Sequence, residues 1–131
     1  MRAERWIRLG IAVLAFVQIA VGLWEAFAPG SFYDAVGGFG PKNVHYVRDV
    51  ATFTLALGFA LLIAVGRRRW RVPVLFVGAV QSVLHVANHV LDAGRAQPSW
   101  VGPVDVALLA GQGIVFVAVL VAAGRSGAAE E

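Results

Sequence analysis

The sequence predicts an all-α integral membrane protein: a four-helix transmembrane bundle with its N- and C-termini on the cytoplasmic side. Three observations carry this. Of the 131 residues, 59% are hydrophobic, against roughly 45–50% in soluble domains. The excess is gathered into four blocks, each near the ~20 residues that cross the hydrocarbon core as a helix. Basic residues then flank those blocks on alternate sides, as loop charges do in multi-pass proteins. One transmembrane domain over residues 1–131 accounts for the whole chain.

The first helix is expected at about residues 5–27, interrupted after Arg8 by Gln18 and Glu25. Its apolar run, Ile7 to Ala28, exceeds the ~7–15 residues of a signal-peptide core and ends without a clean small-residue cleavage site, so it reads as an uncleaved span. Pro29-Gly30 ends it, because proline cannot continue the hydrogen-bond ladder. The connection Gly30 to Tyr46 is rich in glycine and aromatics, which suit the headgroup interface. The second helix is expected at about 45–65, closed by Gly66, before the basic run Arg67-Arg68-Arg69-Trp70-Arg71. The third spans about 72–93 with Pro73 in its first turn, where the missing N–H costs little. A loop with Trp100 as interface anchor leads to the fourth helix, about 104–123. Its largely apolar surface suits lipid, a second protomer or another membrane subunit. The tail Gly124 to Glu131 is small and polar and is expected to be disordered.

Orientation follows from the cations. Arg2, Arg5, Arg8, Arg67, Arg68, Arg69, Arg71 and Arg125 lie on one side; Lys42, Arg48 and Arg95 lie on the other. Eight against three places the first set in the cytoplasm of a cell-membrane protein. The Arg67–Arg71 run reads as a topology anchor that meets anionic lipid. With the cations set at helix ends, no basic face remains for nucleic acid. The absence of cysteine excludes disulfides, thiolate metal sites and cysteine nucleophiles. Nor is there a glycine-rich phosphate loop, a serine elbow or an HExxH motif, so acyl and phosphoryl transfer have no visible machinery. Gly10, Gly22, Gly111 and Gly113 are expected to permit close helix packing, and Gln18 and Gln112 to bond between helices.

The ionisable groups at membrane level share one depth. Glu25 ends the first helix; Asn43, His45, Arg48, Asp49 and Thr52 open the second; Gln81, His85, Asn88, His89 and Asp92 fall in the outer half of the third; Asp105 opens the fourth. A charge at the bilayer centre costs about 2.5–3.5 kcal/mol on insertion scales, so such groups pair or face a wet cavity. Gln81, His85, Asn88, His89 and Asp92 recur at helical spacing and form one stripe; His45, Asp49 and Thr52 form another. Counted back from the short turn between these helices, Asp49 should meet His89, His45 should approach Asp92, and Thr52 should lie near His85.

Two histidines one turn apart can chelate an ion, with carboxylate or imidazole completing the set. His85, His89, Asp49 and His45 are therefore the candidate metal ligands, with Glu25 or Asp105 in support. Divalent metal comes first among cofactors, ahead of haem and quinone. A pocket for a small lipophilic ligand, quinone or lipid, is the second reading. The third is a structural or accessory subunit whose Glu25, Asn43, Arg48, Thr52, Gln81, Asn88, Asp92 and Asp105 network only locks the bundle. An enzyme using His85 or His89 as general base ranks last, because no nucleophile is paired with them.

The segments Trp24-Glu25-Ala26-Phe27-Ala28-Pro29-Gly30-Ser31-Phe32-Tyr33, Asn43-Val44-His45-Tyr46-Val47-Arg48-Asp49 and His85-Val86-Ala87-Asn88-His89 resemble small four-helix membrane proteins of actinobacteria, distantly similar to DoxX-type families. The likeness runs from the first helix to the third. It implies a four-helix membrane fold and an association with redox and quinone-linked processes. That family often carries a glutamate after the asparagine, where this chain has Val44.

Overall fold

The structure, a computed structural model, describes residues 2–128. Its long helices are α1 (Arg2–Phe27), α3 (Val44–Gly66), α4 (Arg68–Asp92) and α5 (Val101–Ala128), with a short α2 (Pro29–Ala35) and a 3₁₀ turn (Ala93–Arg95) between them. The four long helices are each long and apolar enough to cross a membrane, and no strand occurs among the described residues.

Three expectations change. Pro29 does not only end α1: it opens α2, at the helix start where its fixed φ and missing N–H are no burden. The basic run is not a loop, since α4 begins at Arg68 and Pro73 lies inside it. The tail expected to be disordered is helical through Ala128; residues 129–131 lie outside the described residues.

The helices form two close pairs, α1 with α3 and α4 with α5. The pairs meet through α1 and α5, and again where α3 turns into α4. Glycine decides the pairing. A Cβ on Gly22 would stand 2.8 Å from Leu55 Cγ and 3.1 Å from its backbone nitrogen; one on Gly58 would stand 2.8 Å from Ile19 Cγ1 and 3.1 Å from its nitrogen. The α1 and α3 backbones therefore touch, as small residues allow in bilayers. On the other pair, Gly78 lies against the Phe116 ring with no room for a Cβ, and Gly113 meets Ser82. Gly10 meets Val119, whereas Gly111 faces open space.

The apolar core, including Ile7, Ile11, Leu57, Leu61, Leu75 and Phe116, fills the end that holds the α3–α4 turn. Phe16, Phe59, Leu62, Phe76, Leu108 and Ile114 point outward. In hydrocarbon this exposure carries no cost, since lipid tails are as apolar as leucine.

The turn end is basic, and it is locked. Arg71, with its side chain 7% exposed, donates to both Glu4 oxygens at 2.9 Å and to the carbonyls of Ala64 and Val65 at 3.2 Å. The last carbonyls of a helix lack internal donors, and Arg71 supplies them while tying α1 to α3. Arg68 reaches Glu4 at 3.3 Å. Of the expected anchor run, Arg71 is thus a buried clamp, and Arg67 and Arg69 are exposed.

At the opposite end the segment between α2 and α3 crosses the bundle. Gln97 N donates to Gly38 O at 3.0 Å, and Gly38 sits so close to Gln97 O that no Cβ fits. Tyr33 donates its hydroxyl proton to Gly40 O, and Lys42 pairs with Asp34 at 2.8 Å.

Candidate histidine site

The contacts along α4 and α5 bring four polar side chains into one file. Gly102 lies against Ala93 with no room for a Cβ, so the start of α5 stays close to the end of α4. That places Asp105 beside His89, with Asp105 Oδ2 2.7 Å from His89 Nδ1. The approach lies off the ring N–H direction, so it is a close contact and not a linear hydrogen bond. His89 Nε2 stands 2.8 Å from His85 Nε2, and His85 Nδ1 stands 3.0 Å from Gln81 Nε2. Phe39, carried by the crossing segment, packs edge-on against the His89 ring at 4.8 Å. It covers the site, leaving the His89 and Asp105 side chains 17% and 16% exposed.

The chemistry turns on which nitrogens carry protons. With the Gln81 amide nitrogen donating to His85 Nδ1, the His85 proton sits on Nε2 and points at His89 Nε2. The His89 proton then sits on Nδ1, towards Asp105. A half-turn of the Gln81 amide, which keeps its volume, presents Oε1 instead. Both Nδ1 atoms then carry protons, facing Gln81 and Asp105, and both Nε2 lone pairs are free 2.8 Å apart. That second arrangement is the one a metal ion requires, with each ligand imidazole oriented through its other nitrogen.

The four expected ligands are not gathered. His45 and Asp49 pair with each other at 3.4 Å, one turn apart and exposed on α3, while His85 and His89 face α5. Among the described residues no group of three or more His, Asp or Glu side chains is arranged to hold a metal ion. The reason is the helix pairing: α3 spends its close contacts on α1 and α4 on α5, so the two stripes are not opposed. Thr52 accordingly donates to Asp49 O at 2.7 Å, not towards His85. Asp92 pairs with Arg95 at 2.7 Å, not with His45.

The expected network dissolves in the same way. Asn43 is the N-cap of α3, accepting from Tyr46 N at 3.1 Å. Arg48 is exposed and makes no ion pair among the described residues, and Asn88 is exposed. Glu25 is buried at 4% exposure, and its Oε2 has no hydrogen-bond partner. Asp105 and Gln81 alone join the histidines. Sequence reasoning missed Phe39 on His89 and the Glu4–Arg71 clamp. Counting outward from the α4–α5 loop, instead of the α3–α4 turn, would have paired His89 with Asp105.

No family model, curated protein or solved structure matches the chain.

Proposed function

We propose that this is a plasma-membrane protein with cytoplasmic termini that binds a divalent transition-metal ion through His85 and His89. The observation that carries the reading is the 2.8 Å separation of the two Nε2 atoms, with each Nδ1 facing a separate side chain. Two nitrogens each ~2.0–2.1 Å from one ion stand about 3 Å apart when they meet it at a right angle. Gln81 and Asp105 act behind the ligands, orienting them, and the remaining coordination positions are left to water or a small ligand. The resemblance to DoxX-type proteins supports a redox-associated role. The eight-to-three division of cations supports the histidine end facing outward.

The test is elemental analysis of detergent-purified protein, before and after loading with zinc, copper or nickel. About one ion per chain is expected in the wild type and none in His85→Ala/His89→Ala. A wild type that takes up no metal under loading overturns the reading.

One observation favours a second reading, a purely structural lock. The Gln81 amide nitrogen faces His85 Nδ1, which makes the histidine pair a hydrogen bond between helix turns. In that case His85→Ala lowers thermal stability and changes no binding.

A further inference from the structure

The basic end carries a second feature, independent of the histidines. Beyond their shared turn, α3 and α4 separate, because each packs on its own partner helix. The separation leaves an apolar groove of about 300 Å³. Buried Leu57 and Val74 lie beneath it, and Phe53, Ala56, Ala60, Trp70, Pro73 and Val77 complete its lining. From Ala60 to Phe53 the groove follows α3 for about 10 Å at ~1.5 Å per residue, the scale of half an acyl chain.

Trp70 links this groove to charge. It lines the groove and follows directly on Arg67-Arg68-Arg69. Within that turn Arg68 and Arg71 are engaged with Glu4, whereas Arg67 and Arg69 are exposed. A tryptophan at this position marks headgroup depth. A guanidinium there matches a phosphate bidentately. An apolar slot lined by Trp70, whose chain neighbours include two exposed cations, is complementary to one class of molecule. We infer that the α3–α4 groove holds one acyl chain of an anionic phospholipid whose headgroup is bound by Arg67 and Arg69.

Charge selects the headgroup. A zwitterionic lipid brings its own cation to the same mouth and loses the advantage. Each arginine near an anionic surface contributes about a fivefold preference. The groove selects position: it separates a seated lipid from the general enrichment that any basic loop causes.

The experiment uses full-length protein with Trp70 as its sole tryptophan (Trp6, Trp24 and Trp100 to Phe), in bilayers containing acyl-brominated phosphatidylglycerol or phosphatidylcholine. Brominated phosphatidylglycerol should quench Trp70 at about 25-fold lower mole fraction than brominated phosphatidylcholine, fivefold for each of the two arginines. Arg67→Gln and Arg69→Gln should each reduce that preference about fivefold. Ala60→Leu, which fills the groove with the arginines intact, should reduce it to the general enrichment of a basic loop. Native mass spectrometry of the wild type from mixed micelles gives a second readout free of the tryptophan changes: one retained anionic lipid, lost in both the arginine and the Ala60 variants. Equal quenching by the two lipids overturns the inference. So does a preference left undiminished by Ala60→Leu, since that is bulk electrostatics without a seat.

Discussion

Arg71 holds its guanidinium between the Glu4 carboxylate and the last carbonyls of α3. Removing it leaves Glu4 facing those carbonyls with a weakened cation set. Arg71→Leu should destabilise the protein by about 3 kcal/mol, the low end for breaking a buried pair, because Glu4 still reaches water at 29% exposure. Thermal unfolding in detergent measures this. Glu4→Gln/Arg71→Met should recover part of the loss, since no unpaired charge remains. At the other end, in the proposed metal site, Asp105 would act only through His89. Asp105→Asn should therefore weaken zinc binding about 10–100-fold while leaving the ion's stoichiometry intact at saturation, as an orienting partner does. A zinc titration that is unchanged would remove Asp105 from the site.

Helices meet here at glycines, and the two kinds of glycine on these helices predict opposite results. Gly58 is closed in by Ile19, so Gly58→Leu overpacks the α1–α3 contact and should cost about 1–3 kcal/mol. Gly111 faces nothing, so Gly111→Ala should be neutral or stabilising by up to about 1 kcal/mol, the difference in helix propensity. Thermal scans of the two variants side by side decide whether the pairing is right. At the same scale, the motif Asn43-Val44-His45-Tyr46-Val47-Arg48-Asp49 explains itself without a ligand. Asn43 caps the helix, and His45 and Asp49 pair one turn apart. The spacing that suggested a binding stripe is the spacing of a helix start at a polar interface.

Across the whole molecule, one end is an apolar core closed by arginine and glutamate, and the other carries the histidines beneath a crossing segment. In the proposed topology the first end faces the cytoplasm. Because the chain has no cysteine, Ser99→Cys provides a single label site beyond α4. A membrane-impermeant maleimide should modify it from outside the intact cell; modification only after permeabilisation would invert the topology. The asymmetry of depth was legible in the sequence, since Glu25, Asp49, His85, His89 and Asp105 occupy matching positions from their helix ends. The partners were not. His89 meets Asp105, whereas Asp49 and His45 stay with each other.

The number of crossings, their approximate ends and the depth of the polar groups follow from sequence alone. A bilayer requires each spanning segment to satisfy its own backbone, so composition along a segment carries the information. Which helices touch is different. In lipid every apolar face is equally at ease, so hydrophobic pattern does not choose neighbours. Close approach at Gly22, Gly58 and Gly78 does, and only the folded arrangement shows which surfaces those glycines meet. That choice sent α4 to α5, set His85 and His89 beside Asp105 instead of Asp49, and opened the groove between α3 and α4.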